Sequence, residues 1–307
     1  MRFTALTWNL FHGRDFPPDP GLRTWRSRLL RISERNGTHL QVNRDLLAEF
    51  AEVLAGAEWD LALLQECPPR FAEPLARACD AEPHRALTSR NSFSPLRQVG
   101  ARLNPDLIAS GEGGSNVTLV RRAFRCAFCS PDQQKAHRNE GAIAERREVA
   151  IHIGPLERRA MALTRIAVGS VAARSGIGHR ASGTPRSAST IHVANLHASA
   201  NDPTFAAEDV LRAARIASDW AGEAPLLFGG DLNLQPQESE AVFAELRARF
   251  GLAPPTAPNA IDHLLARGLD VVEPPRRWPP ERREVRRDGL ALRLSDHAPV
   301  EAAFAPP

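Results

Sequence analysis

Short apolar runs that end on an acid or an amide recur along this chain, and they restrict what it can fold into. Phe3 to Trp8 alternates in polarity as a half-buried strand does, and it stops at Asn9. Leu61 to Leu64 is continuously apolar and stops at Gln65-Glu66. Leu226-Leu227-Phe228 runs through two glycines into Asp231 and Asn233. The strand predicted over Ile261 to Leu265 contains Asp262, and Asp296-His297 directly precede a last strand ending at Phe304. Ser115 to Val120, Met161 to Val168 and Thr190 to His197 add three more.

Helical spacing falls between these runs. Leu46, Leu47, Phe50, Val53 and Leu54 predict an amphipathic helix over 44–56. Leu22 to Arg35 predicts a basic helix, either an Arg-rich face for a polyanion or a surface helix packing Trp25 and Leu29 inward. Asp202-Pro203 is a cap followed by a first-turn proline, so a helix is expected over 203–221, ending near Gly222. Val242, Phe243, Leu246 and Phe250 mark another. Gly169 to Ser189 is poor in large apolar residues and reads as a mobile loop. Composition does not break anywhere, so residues 1–307 are expected to form one α/β domain with a Pro/Arg-rich insertion around 14–42.

The composition, 43% hydrophobic and 24% charged, excludes a disordered or fibrous chain. Four cysteines are too few for a disulfide scaffold, and the lone Cys126-Ala-Phe-Cys129 lacks the second pair a zinc site needs. No apolar run approaches the roughly 18 residues of a membrane span. The N-terminus enters a strand pattern without a signal-peptide profile, so the expectation is a cytoplasmic protein. No Walker or dinucleotide loop is present, which argues against an ATP-driven enzyme. The net charge of +3 does not by itself point to nucleic acid, because all 39 basic residues except Lys135 are arginine, a pattern of genome composition.

Any one acid at a strand end is an ordinary loop residue. Several converging at one edge of a core would repel each other and lose solvation, and a divalent cation relieves both costs. The set is oxygen-rich and without thiolate, which selects Mg²⁺ or Mn²⁺ over Zn²⁺. Mg²⁺ keeps several waters and is commonly shared with substrate phosphate oxygens, so a phosphoester substrate fits.

At these residues the sequence resembles the endonuclease/exonuclease/phosphatase superfamily, the deoxyribonuclease I-like fold. The resemblance rests on Thr-Trp-Asn-Leu-Phe-His-Gly (7–13), Leu-Leu-Gln-Glu (63–66), Asn-Leu-His-Ala-Ser (195–199), Gly-Gly-Asp-Leu-Asn (229–233), Ile-Asp-His-Leu-Leu (261–265) and Ser-Asp-His-Ala-Pro-Val (295–300), in the family's order. It implies a four-layer α/β sandwich: two packed, mainly antiparallel sheets flanked by helices, with the active site at one end. It also implies Glu66 as the main Mg²⁺ ligand with Asn9 and Asp296 nearby. Asp231 would orient or deprotonate the attacking water, with Asn233 as its companion. Asp262 and His297 would form an Asp–His pair, and His197 would face a phosphate oxygen or the leaving group. Asn116, in a Gly-Ser-Asn stretch, resembles a family position that contacts phosphate; His12, His192 and His263 read as supporting or structural.

The chain has no tyrosine, which argues against the abasic-site repair type. The basic stretch Arg276 to Arg287 is either a phosphate-backbone contact or a solvated loop. The expected function is a Mg²⁺-dependent phosphoesterase cleaving phosphodiester bonds, with nucleic acid the leading substrate. The alternatives are a small-molecule or lipid-headgroup phosphatase or phosphodiesterase, and a non-catalytic binding module.

Overall fold

The computed structural model describes residues 2–88, 99–100, 103–107, 113–126, 141–153, 158–168, 189–200 and 202–306. The predicted loop from Gly169 lies outside them except for Ser189, which opens a strand, and so does Cys129 of the Cys pair. Two sheets carry the fold. The first has strands β1 (Phe3–Asn9), β4 (Leu61–Cys67), β5 (Ala81–Leu87), β6 (Ser115–Arg121), β12 (Asp270–Arg277) and β15 (Val300–Ala305), in the order β12-β15-β1-β4-β6-β5. The second has β7 (Ile143–Ile153), β8 (Arg158–Val168), β9 (Ser189–His197), β10 (Leu226–Asp231) and β11 (Asp262–Arg267), in the order β11-β10-β9-β8-β7. Each has one parallel pair at its middle, β1 with β4 and β9 with β10, and is otherwise antiparallel.

Alternation along the strands fills both faces. On β1, Phe3 and Ala5 point between the sheets, where they meet Leu61, Leu63, Ile191, Val193, Leu227 and Phe304. Leu6 and Trp8 point outward under α2 (Leu47–Gly56) and α3 (Ala72–Ala78). The second sheet buries its outer face against α4 (Pro203–Ala221) and α5 (Glu240–Phe250). The order of layers is therefore helix, sheet, sheet, helix, and each fully buried Phe or Leu contributes about 1.5–3 kcal/mol. The 203–221 helix forms as its caps specify: the Asp202 carboxylate accepts from Thr204 N at 2.7 Å, and Gly222 ends it at φ +55°. Its inward stripe is largely alanine, which lets it lie close on the sheet.

Two boundaries depart from the sequence pattern. α2 begins at Leu47 rather than at 44, where the Asp45 carboxylate accepts from Leu47 N. The helix expected over 22–35 is only α1 (Trp25–Leu30); Arg31 turns left-handed at φ +57°, and β2 (Glu34–Arg35) and β3 (Leu40–Gln41) form a small hairpin. Trp25 and Leu29 are 66% and 58% exposed, so neither packs inward, and Ser27 is the buried contact.

Approaching one end, the residues between the sheets turn polar. Phe3 and Ala5 give way to Thr7 and Asn9, Leu63 to Gln65, Val193 to Asn195 and His197. Gln65 Nε2 donates to Asn195 Oδ1 at 2.7 Å, and Asn195 Nδ2 donates to Val117 O at 3.1 Å, so the sheets are tied by a buried amide network. Leaving such groups unpaired would cost about 1–3 kcal/mol each. Gly230 permits the close parallel approach of β10 to β9: at φ +131°, an added Cβ would lie 1.8 Å from Leu196 O.

Candidate active site

Strand direction gathers the candidates at that polar end. Asn9 ends β1 and pairs with Gln65 on parallel β4, which places Glu66 beside it. β15 runs antiparallel to β1, so Asp296 and His297 before it arrive at the same edge. On the second sheet Asp231 pairs with His197 across β9 and with Asp262 across β11. Asp262 is the first residue of its strand rather than an interior one.

Asp231 lies at the centre and is buried. Its Oδ2 accepts from Asn9 Nδ2 at 2.9 Å, and its Oδ1 accepts from Asn233 N at 3.1 Å. His197 Nε2 lies 3.5 Å and His297 Nε2 3.8 Å from the same Oδ2. His297 Nδ1 meets Asp262 Oδ2 at 2.9 Å, which fixes the ring. Asp296 Oδ1 is 4.0 Å from His297 Nε2. Glu66 stands where β4 loses register with β6, in a left-handed conformation at φ +45° that turns its carboxylate toward this group.

The electrostatics follow from burial and crowding of acids. Burial, reinforced by Asp231 and Asp296, pushes the Glu66 carboxyl up to about 7. Burial also raises Asp231, against the pull of the His297 charge. Burial opposes a charge on His297, but Asp262 and Asp231 outweigh it and hold the imidazole protonated well above its usual range. His197 goes the other way: burial, with Arg159, His297 and His12 facing it, keeps it neutral.

The structure also gives definite places to His12, read from sequence as supporting or structural, and to Ser295 and Arg283, which had no role of their own. His12 Nε2 approaches Glu66 Oε2 at 3.4 Å, because Phe11 and His12 are both left-handed and fold the ring back over β4. Burial, with Arg14 and Arg159 nearby, lowers His12 to about 4. Ser295 Oγ donates to Asn9 O at 2.6 Å and accepts from His297 N at 3.0 Å, so it ties the last motif to the first. Arg283 is buried and donates to the carbonyls of Leu294, Ser295 and His297, bracing that loop. The Ser-Asp-His motif contained the serine; the arginine lay in the basic stretch 276–287, where only a phosphate contact or a solvated loop was expected.

Four candidates have other partners. Asn233 Nδ2 donates to Ala198 O at 3.0 Å. Asn116 is fully buried and donates to Ala160 O at 2.8 Å, a strut between the sheets rather than a contact in the open site. His192 packs against Trp220, and His263 bonds the carbonyls of Leu234 and Ala260. The Arg276–Arg287 stretch is not a free basic loop. It contains the end of β12 and the strand β13 (Glu284–Arg287), which pairs with β14 (Leu290–Arg293), and Arg276 and Arg282 pair with Glu301 and Arg287 with Glu49 and Glu52. Arg277 and Arg283 instead line a cleft of about 340 Å³ with Gln235, Asn259, Asp296 and His297.

The donor set fits a hard cation. Carboxylate oxygens of Asp231 and Asp262 lie within 4.8 Å of each other and of the His297 ring, Asp262 Oδ1 is buried without a partner among the described residues, and Glu66 and Asp296 add two carboxylates at the rim. Such crowding of acids around one protonated imidazole is what a divalent ion relieves.

Comparison with known proteins agrees. Residues 6–297 match the Endonuclease/Exonuclease/phosphatase family, and the chain belongs to it. Its members are metal-dependent phosphoesterases, and this protein is a hydrolase of that kind. Among solved structures, an endonuclease/exonuclease/phosphatase family protein of Bacteroides thetaiotaomicron shares the fold at a TM-score of 0.58 and 13% identity, over 99% of this chain and 97% of that one. A mannosyl-6-phosphatase of the same organism aligns at 0.56 and 13%, over 99% of each chain. The human Nocturnin catalytic domain with bound sulfate aligns at 0.56 and 13%, over 99% of this chain and 94% of that one. No curated protein matches the sequence.

Proposed function

We propose that the protein is a Mg²⁺-dependent phosphodiesterase, with Mn²⁺ as a substitute and nucleic acid as the substrate class. The observation that carries this is the contact of Asp231, from the second sheet, with Asn9 from the first, beside the Asp262–His297 pair. Glu66 and Asp296 would hold the ion, with Asn9 between them. When bound, the ion would polarise the phosphoryl oxygens and offset the charge that develops on them.

Asp231, oriented by Asn9 and the Asn233 backbone, takes a proton from the attacking water. The water oxygen bonds to phosphorus as the bond to the leaving oxygen breaks. His297, held protonated by Asp262, hydrogen-bonds the phosphate and gives its proton to the leaving oxygen. His197 is kept neutral, so it serves better as a hydrogen-bonding neighbour of Asp231 than as the acid. Arg277 and Arg283, lining the cleft beside His297, favour a polyanionic strand over a neutral ester.

The test is turnover of bis-p-nitrophenyl phosphate, plasmid DNA, RNA and sugar phosphates with Mg²⁺. Hydrolysis should vanish in EDTA, return with Mg²⁺ or Mn²⁺ but not Zn²⁺, and fall at least about 10²-fold in Asp231→Asn. Turnover of sugar phosphates alone would replace the nucleic-acid assignment with a monoesterase. No turnover of any phosphoester by folded protein would overturn the proposal.

A further inference from the structure

A second pocket is lined by Arg14, whose charge also acts on Glu66 and Asp296 of the site. The segment after β1 builds one wall: Phe11 N donates to Asn9 Oδ1 at 2.9 Å, Ser295 N donates to Arg14 O at 3.0 Å, and Phe16 N donates to Arg293 O at 2.8 Å. The other walls come from segment 14–42, with Arg23, Arg28 and Gln41, and from Asp106.

Three guanidinium groups converge here, and none has an ion pair within 4 Å among the described residues. Arg14 lies 3.7 Å over the Phe11 ring and Arg23 4.2 Å over Phe16. Stacking fixes their planes and leaves N–H edges for an oxygen ligand. Asp106 attracts Arg14 and Arg28 and offsets part of their charge, but it is one carboxylate facing three guanidinium groups. Asp106 accepts from Gln41 Nε2 at 2.9 Å, and Asp15 is buried, with burial raising its carboxyl to about 8 and its Oδ2 accepting from Val42 N. Three buried polar atoms lack partners among the described residues: Gln41 Oε1, Asp15 Oδ1 and Arg23 Nε. A closed fold seldom leaves three such groups unmet in one place.

Size decides what could meet them. The pocket is about 30 Å³, whereas one water needs roughly 10–15 Å³. That is space for about two waters or one small oxyanion, and the guanidinium edges favour the anion. A phosphate carrying one proton also supplies the donor that Gln41 Oε1 lacks.

We propose that this pocket is a second phosphate subsite, so that the preferred substrate carries another phosphate group next to the scissile one, held by Arg14, Arg23 and Arg28. The inference rests on the phosphoesterase reading above and names a substrate feature that reading leaves open. The second phosphate could be that of the next nucleotide in a strand or one borne by a sugar.

The test uses matched pairs and reads only their ratio. One pair is a p-nitrophenyl ester of thymidine 5′-phosphate with and without a 3′-phosphate; the other is a hexose 1,6-bisphosphate and its 1-phosphate. In the wild type, kcat/KM for the bisphosphate member of one pair should exceed that of its partner at least about tenfold, as one or two charge-assisted bonds predict. Which pair responds identifies the source of the phosphate. In Arg23→Gln/Arg28→Gln the ratio should fall to near one. A ratio near one in both pairs for wild type, or a preference that survives the double substitution, overturns the proposal. Isothermal titration of inorganic phosphate into metal-free protein gives a readout independent of turnover. Affinity should drop at least about tenfold in the variant. If no phosphoester is hydrolysed yet this difference is seen, the phosphoesterase reading fails while the subsite stands; equal affinities overturn the subsite.

Discussion

Replacing Asp262 by Asn should separate catalysis from folding. Asp262 Oδ2 sits 2.9 Å from His297 Nδ1, and both side chains are largely buried. A buried hydrogen bond to a charged group is worth about 1.5–3 kcal/mol, equal to roughly 10–10²-fold in rate if it stabilises the imidazolium in the transition state. Asn can also present N–H to Nδ1 and turn the imidazole to the wrong tautomer, which extends the expected loss in kcat to roughly 10²–10⁴-fold. Stability should move far less. Asp262 and Asp231 are like charges on paired residues, and removing one relieves repulsion while the His297 partner is lost. The net change should be within about 1 kcal/mol. The assay is p-nitrophenolate release at saturating substrate, beside thermal unfolding by circular dichroism. A kcat within about threefold of wild type would show that His297 does not react in the way proposed, and a collapse in melting temperature would show that the pair is chiefly structural.

Three further outcomes are expected. Asp15, buried and raised to about 8, keeps its proton when folded over a range where the unfolded chain has released it. Wild-type stability should therefore fall as pH rises from about 4 to about 8, and urea midpoints should show that decline flattened in Asp15→Asn. Gly230→Ala forces a Cβ onto Leu196 O in a left-handed conformation, and urea unfolding should show a loss of at least about 2 kcal/mol. Arg283→Gln loosens the three carbonyls that brace Ser295 to His297. Its kcat should fall by roughly tenfold or more, with Mg²⁺ titration showing whether the loop or the ion is affected.

Much of this was legible because the chemistry stands where the strands end. An apolar run closing on Asn9, Glu66 or Asp231 says both that a strand is buried and that its last residue reaches an edge. Parallel pairing of β1 with β4, and of β9 with β10, then brings those ends together. What escaped depends on backbone handedness and on partners distant in sequence. His12 faces Glu66 only because two non-glycine residues turn left-handed. A count of arginines over 276–287 could not show that Glu301 neutralises two of them, since its own strand lies beyond the motif. The helix over 22–35 followed from spacing alone, whereas the Arg31 turn and a hairpin end it after six residues.

Neither sheet owns the proposed catalytic group. Asn9, Glu66, Asp296 and His297 belong to one half of the sandwich and His197, Asp231 and Asp262 to the other. They meet only when the halves are seated against each other. A partly swollen state could keep its strands and helices and still be inert, so on the proposed reading loss of hydrolysis during denaturation would precede loss of the far-ultraviolet signal and would time the parting of the two layers.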